Sequence, residues 1–186
     1  MSTQTVLKRI RKALIPVYKG NFFGDLQPDL YAPFWIATTL IFVLTAAGNM
    51  GAWLNTDSIS ASQWEYQTSK MVTAVGMIYG LQIAIPLTIY CALTNVGSDV
   101  TLMEMMSLYG YSYFIFIPAG LICITPIYYL RLGSWFVAAL WSLVLLFKTC
   151  WTEVATFLGA KKFIVAIIFI IGHGLLALTA VFYFFN

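Results

Sequence analysis

Residues 71–93, MVTAVGMIYGLQIAIPLTIYCAL, form an apolar run of 23 residues that contains no charged side chain. A helix rises about 1.5 Å per residue, so a run of this length can cross the roughly 30 Å hydrocarbon core of a bilayer. Polar stretches flank the run on both sides, at 55–70 and 94–101. The run therefore predicts a membrane-spanning helix between two loops.

Four more apolar runs of similar length occur along the chain. The predicted spans are residues 34–54, 71–93, 102–124, 132–151 and 163–185. Pro126, Arg131 and Gly133 mark the break between the third and fourth spans, residues 152–162 read as a loop, and Pro118 predicts a kink inside the third span. Because lipid cannot satisfy an open backbone, the runs predict an all-α polytopic membrane protein, a bundle of five transmembrane helices.

The composition of the 186 residues supports the same class of protein. Hydrophobic residues make up 61% of the chain and charged residues only 9%, whereas a soluble domain carries roughly 25% charged residues. Most of the chain must therefore face something other than water. The length suits one domain, and we divide the chain into an N-terminal segment at 1–32 and a five-helix membrane domain at 33–186.

The lysines and arginines are distributed unevenly between the two sides of the predicted bundle. With the N-terminus in the cytoplasm, eight of the ten lie on the cytoplasmic side: Lys8, Arg9, Arg11, Lys12, Lys19, Lys148, Lys161 and Lys162. The other side has only Lys70 and Arg131. Cytoplasmic loops carry an excess of basic residues, so the bias predicts a cytoplasmic N-terminus and a C-terminus on the opposite side.

A basic stretch before the first span has helical periodicity. Its apolar positions are Val6, Leu7, Ile10, Ala13 and Leu14, its basic positions are Lys8, Arg9, Arg11 and Lys12, and Pro16 ends the pattern. This pattern is typical of an amphipathic helix on the cytoplasmic membrane surface, with a disordered basic tail as the alternative. Attraction to anionic membrane lipids is the favoured interpretation of the charge. No nucleic-acid partner is expected, because no folded basic domain follows.

Polar residues inside the spans are candidates for function, since polar groups are costly in a membrane. His173 lies in the fifth span and Glu104 near the start of the third. No Cys, Asp or Glu stands at ligand spacing from His173, so an interhelical hydrogen bond is expected there and no metal. The sequence contains no catalytic constellation and no cofactor motif, which argues against an enzyme. A small transporter, channel or lipid-handling protein is an alternative if Gln82, Asn49, His173 and Glu104 converge, and a membrane-shaping protein is another.

Small residues at four-residue spacing predict close helix packing. One row consists of Gly76, Gly80 and Ala84 in the second span, and another of Ala47 and Gly51 in the first. We expect both rows to pack against other helices of the same chain, although a dimer seam would have the same pattern.

Two separated motifs resemble the Yip family, whose members are five-span membrane proteins that interact with Rab/Ypt GTPases. The first is PDLYAPFWI at 28–36, and the second combines Glu104, YGYS at 109–112 and Ile117-Pro118. Further upstream, Arg9-Ile10, LIP at 14–16 and Asn21-Phe22 resemble the Golgi branch of that family. The sequence departs from the family pattern at Ala32, where a glycine is usual, and the family commonly carries a longer N-terminal extension.

The resemblance implies a cytoplasmic N-terminus, a lumenal C-terminus and residence in Golgi or ER–Golgi membranes. It also implies a role in vesicle trafficking through prenylated Rab GTPases, and association with other Yip- or Yif-type membrane proteins. The partner-binding residues are then expected in the 29–33 segment, at Asp29, Leu30, Tyr31 and Pro33.

Each motif also has a physical interpretation. Asp29 can form a side-chain turn before a helix, and Pro33 suits the first helical turn. Gly110 permits close helix contact, with the hydroxyls of Tyr109 and Tyr111 beside it available for interhelical bonds.

Overall fold

The computed structural model describes residues 3–15, 22–23, 27–54 and 65–185. These residues form six helices and no strand. In chain order the helices are α1 (Thr3–Leu14), α2 (Tyr31–Leu54), α3 (Thr68–Thr94), α4 (Leu102–Ile122), α5 (Tyr128–Leu158) and α6 (Lys162–Phe184). Helices α2 to α6 are each long and apolar enough to cross a membrane, which confirms the predicted bundle of five spans. Predictions that concern Pro16, Lys19, Asn21, residues 55–64 and Asn186 lie outside the described residues.

The five long helices pack around a shared interior. Helix α2 lies against α3 and α4, α5 packs on the second half of α4 and on α6, and α6 returns to contact α3. Helix α1 contacts the middle of α4. Large aromatic side chains fill the interior, each less than 2% exposed: Trp135, Tyr109, Tyr111, Tyr113, Phe116 and Phe184.

Helix α4 is interrupted at its middle. It is α-helical over Leu102–Ser112, tightens to a 3-10 turn at Tyr113–Ile115 and resumes over Phe116–Ile122. Pro118 explains the interruption, because it has no N–H to offer the carbonyl four residues earlier. The kink predicted from Pro118 therefore takes the form of a three-residue 3-10 turn.

Helix α5 is longer than the predicted span at both ends. It begins at Tyr128 and ends at Leu158, so the prediction of a loop over 152–162 is wrong. Residues 152–158 contain no glycine or proline, and the helix ends only where Gly159 adopts a φ of +50°. The other four spans agree with their helices to within three residues at each end.

The predicted start of the fourth span is also wrong, because Arg131 and Gly133 lie inside α5 and do not mark its boundary. The Arg131 side chain is 8% exposed. Its Nε donates to the Thr125 carbonyl at 2.7 Å, and Nη1 donates to the Phe185 carbonyl at 2.5 Å. A charge with satisfied hydrogen bonds does not require a loop, so the turn falls earlier, at residues 123–127.

The row of small residues on α2 packs inside the chain. Ala47 is 1% exposed, and a Cβ on Gly51 would lie 3.8 Å from the Cys123 carbonyl oxygen. The neighbouring Gly48 is tighter, since a Cβ there would lie 2.6 Å from the Phe184 carbonyl oxygen. This face of α2 therefore depends on small side chains to approach α6.

The row on α3 does not pack inside the chain, contrary to expectation. A Cβ added to Gly76 or Gly80 would meet nothing within 4 Å, and Ala84 is exposed. The reason is that α3 turns its other face, with Ala74 and Ile78 fully buried, toward the bundle.

Candidate interaction site at the start of α2

A buried ion pair joins α1 to the segment that precedes α2. Arg9 of α1 donates to the carboxylate of Asp29, and the two side chains are 3% and 11% exposed. The Arg9 Nη2 also donates to the Gln27 carbonyl at 2.7 Å, and its Cζ lies 5.2 Å from the centroid of the Phe23 ring. A buried charge is strongly unfavourable without a partner, so this pair fixes where α1 lies.

Asp29 connects three helices through one carboxylate. Besides Arg9, its Oδ1 accepts from the Ala32 amide at 3.1 Å, in the first turn of α2. Its Oδ2 accepts from the Tyr111 hydroxyl of α4, also at 3.1 Å. The first amides of a helix have no intrahelical partner, so Asp29 satisfies one of them while holding α1 and α4 in place.

Two further contacts hold α1 against the bundle. The Lys12 Nζ donates to the Phe22 carbonyl at 2.8 Å, and the Trp141 indole N–H of α5 donates to the Leu14 carbonyl at 2.8 Å. The basic stretch is thus a docked helix, which is the first of the two alternatives that the sequence left open. Its place on a cytoplasmic membrane surface stays a prediction.

The four residues predicted to bind a partner divide into two kinds. Asp29 and Pro33 are turned inward, Asp29 through its three polar partners and Pro33 by burial against α4. The side chains of Leu30 and Tyr31 face outward and are 38% and 69% exposed. Ala32 lies in the first turn of α2, and no non-glycine residue among those described has a positive φ, so the departure from the usual glycine causes no strain.

Gly110 lies where α2, α3 and α4 come closest. A Cβ on Gly110 would lie 3.0 Å from Pro33 Cα and 2.9 Å from Gln82 Nε2. Any larger side chain would push α2 away from α4. Gly110 therefore sets the position of the 29–33 segment, through the backbone of Pro33.

His173 belongs to a hydrogen-bond network across three helices. Its Nε2 lies 2.7 Å from the Ser142 Oγ of α5, and that hydroxyl lies 2.9 Å from the Ser112 carbonyl of α4. The ring also packs edge-on against Tyr109, with centroids 5.4 Å apart. The side chains of His173 and Tyr109 are each 1% exposed. The network therefore lies inside the bundle, where it joins α4, α5 and α6.

Glu104 acts at the start of α4. Its backbone amide donates to the Thr101 Oγ1 at 3.2 Å, and its Oε2 accepts from the Thr101 amide at 2.8 Å, which is a reciprocal capping box. Among the described residues, no group of three or more His, Cys, Asp or Glu side chains is placed to hold a metal ion.

The polar residues proposed to line a transport path do not converge. Asn49 binds the backbone of Gln67, whose amide donates to its Oδ1 at 2.8 Å just before α3 begins. Glu104 is occupied at the start of α4, and Gln82 packs against Gly110. Asn49 and Glu104 are thus bound at the starts of two different helices, so the predicted convergence of all four residues on one polar path is not observed.

Two features of the site were missed from the sequence. In the sequence, Arg9 is one of several basic residues, and only its place in the Arg9-Ile10 motif distinguishes it from the others. The second feature is an open cleft of about 310 Å³ beside the start of α4, formed in part by Glu104, Lys148 and Glu153. It was missed because residues 152–158 were predicted to be a loop, whereas they continue α5 past the cleft.

The two basic residues on the side opposite α1 are both buried. Lys70 is 4% exposed, and its Nζ donates to the carbonyls of Gly48 and Phe184 at 3.2 and 3.1 Å. Arg131 binds the next carbonyl, that of Phe185. Cations are favourable at the C-terminal end of a helix, where carbonyls lack partners. Both residues therefore stabilise the end of α6.

The fold and the site together define a polytopic membrane protein with five candidate spans, in which an amphipathic N-terminal helix is anchored to the bundle by a buried ion pair. The model of the Yip1 domain matches residues 14–181. The chain belongs to the Yip family, as its two motifs indicated. Yip family proteins are trafficking-related and are not known enzymes.

Two curated relatives show how much of a longer protein the chain corresponds to. The chain is 32% identical over 146 residues to the protein YIPF1 homolog of Dictyostelium discoideum, which covers 77% of this chain and 40% of the relative. It is 30% identical over 123 residues to the protein YIP5 of Schizosaccharomyces pombe, which covers 65% and 48%. The chain therefore spans less than half the length of these relatives. No solved structure matches the chain.

Proposed function

We propose that this protein is a trafficking factor of Golgi or ER–Golgi membranes that binds prenylated Rab-type GTPases and supports vesicle-mediated transport. The observation that carries the proposal is the Yip1-domain match over residues 14–181. Other Yip- or Yif-type membrane proteins are further proposed partners, on the same family grounds.

The surface proposed to meet the GTPase is the exposed part of the 29–33 segment. Tyr31 is 69% exposed and lies edge-on to Trp35, with ring centroids 6.3 Å apart. Leu30 precedes it and is 38% exposed. Asp29 holds the backbone of this segment through its bonds to α1, α2 and α4. A preorganised aromatic side chain next to an aliphatic one is the kind of anchor that dominates protein interfaces.

The proposed orientation places α1 and the 29–33 segment in the cytoplasm and the C-terminus in the lumen. The eight-to-two distribution of basic residues supports this orientation. The two exceptions, Lys70 and Arg131, support it further, because both side chains are buried and bind carbonyls at the end of α6. They stabilise that helix and add no exposed charge to the lumenal loops.

The test is capture of the detergent-solubilised protein by an immobilised prenylated Rab. The double variant Leu30→Ala with Tyr31→Ala should lower capture about tenfold or more, as expected for loss of an interface anchor. Tyr129→Ala is the matched control, because Tyr129 is 82% exposed at the start of α5, on the proposed lumenal side. This control should be captured like the wild type, and an unprenylated Rab should capture less of every form.

Two outcomes would overturn parts of the proposal. Equal capture of the wild type and of the Leu30 and Tyr31 double variant would remove the site assignment. If no prenylated Rab captures the wild type, the GTPase is removed as a proposed partner.

A further inference from the structure

We infer that the outward edge of α1 binds the headgroups of anionic phospholipids, so that α1 is a lipid-charge contact as well as a docked helix. The observation behind this inference is how the structure divides the four basic residues of α1. Arg9 and Lys12 point inward, to Asp29 and to the Phe22 carbonyl. Lys8 and Arg11 are exposed, and within the described part of the chain neither side chain has a hydrogen bond or an ion pair.

The outward edge is both basic and apolar. Lys8 and Arg11 are three residues apart and therefore lie on one face of the helix. Leu7 and Ile15 flank them on that face, at 60% and 54% exposed. Helix α1 contains no acidic residue that would neutralise the edge. Large apolar side chains interleaved with unpaired cations are typical of helices that lie in the membrane interface.

The depth of α1 along the bundle favours lipid over water as the surrounding medium. The Leu14 carbonyl binds Trp141, which lies thirteen residues after Tyr128 at the start of α5. At 1.5 Å per residue this is about 20 Å along a helix that crosses a core of roughly 30 Å. Taking Tyr128 as one edge of the hydrocarbon core, the Leu14 end of α1 lies within about 10 Å of the other edge, the depth at which interfacial helices lie.

The chemistry of the two free cations then identifies the headgroup. Long basic side chains extend from the acyl boundary toward the headgroups. Phosphatidylserine and similar lipids present net negative charge there, whereas phosphatidylcholine carries none. Each Lys or Arg near an anionic surface contributes a preference of about fivefold. This inference concerns lipids and does not depend on the GTPase proposal.

The experiment measures amide hydrogen exchange of residues 3–14 in the full chain. The protein is reconstituted in nanodiscs of phosphatidylcholine alone, and of phosphatidylcholine mixed with phosphatidylserine. In the wild type, exchange in the mixed nanodiscs should be slower by about fivefold for each engaged charge, because headgroup binding opposes detachment of α1. Raising the salt concentration should remove the difference by screening.

Two variants with the same loss of charge separate a specific contact from a general effect of net charge. Lys8→Gln with Arg11→Gln should abolish the lipid dependence, whereas Lys161→Gln with Lys162→Gln should retain it. Unchanged exchange in α3 shows that each variant is folded. A full lipid effect in the Lys8 and Arg11 variant, or no lipid effect in the wild type, would overturn the inference.

Discussion

Arg9 of α1 and Asp29, which lies two residues before α2, form a buried ion pair across twenty residues of sequence. Around this pair, the same carboxylate caps an amide of α2 and accepts the Tyr111 hydroxyl of α4. The pair determines both where the amphipathic helix lies and how the 29–33 segment is presented.

Asp29→Asn should destabilise the protein through Arg9. Asparagine can still accept from the Ala32 amide through its one oxygen, but its NH2 group, which only donates, replaces the oxygen that accepts from Arg9 and Tyr111. The variant therefore removes both the charge and the acceptor that Arg9 requires. An uncompensated buried cation should cost about 3 kcal/mol in the free energy of unfolding. Reversible denaturation in detergent micelles measures this loss. The double variant Arg9→Met with Asp29→Asn should recover much of it, and a double variant as unstable as the sum of the two single variants would contradict the pairing.

Gly110→Ala should force α2 and α4 apart. The new methyl group would meet Pro33 Cα at 3.0 Å and Gln82 Nε2 at 2.9 Å, which costs about 2 kcal/mol in the stability of a packed interior. Gly80→Ala is the control, because a methyl group there meets nothing within 4 Å and alanine favours helix. Thermal denaturation of both variants should lower the melting temperature only for Gly110→Ala. An equal effect at the two positions would show that the close approach at Gly110 is not limiting.

Ser142→Ala should weaken the hydrogen-bond network around His173 and should not change flux across liposome membranes. The substitution removes the hydroxyl between the His173 ring and the Ser112 carbonyl, and about 1 kcal/mol of stability should be lost. Thr156→Ala, at an exposed position of α5, is the control.

A liposome flux or lipid-scrambling assay provides a second measurement. Flux by the wild type that His173→Ala abolishes would favour the rival class of transporter or lipid-handling protein.

The C-terminus should lie in the lumen. An N-glycosylation acceptor appended after residue 186 should be modified in cells, and the same acceptor placed before residue 1 should not. The physical reason is the retention of basic residues on the cytoplasmic side. A shift in electrophoretic mobility that glycosidase reverses measures modification. Modification at the N-terminus alone would reverse the proposed orientation.

The five spans could be predicted from the sequence because the constraint behind them is local. Each requires about 20 apolar residues in succession, and a single segment of this length satisfies its own backbone in lipid only as a helix. The helix-starting role of Asp29 and the close approach at Gly110 were also predictable, because each depends on a residue type at a particular place in the chain.

The remaining features depend on contacts between distant parts of the chain. Nothing near Arg9 indicates that its partner is Asp29, twenty residues away. The extension of α5 through residues 152–158 was missed because Thr152 and Glu153 resemble loop residues, although nothing there breaks a helix. The sequence also could not show that the Gly76 and Gly80 row faces away from the bundle. Small-residue spacing predicts close packing but does not identify the partner helix.

The central claim is that a prenylated Rab contacts the protein at the start of α2. It is tested most directly by photo-crosslinking in native membranes, with a benzoylphenylalanine placed at position 31 or, as a control, at position 129. We predict a covalent adduct with a prenylated Rab from position 31 and none from position 129. No Rab adduct from position 31, or equal adducts from the two positions, would contradict the account.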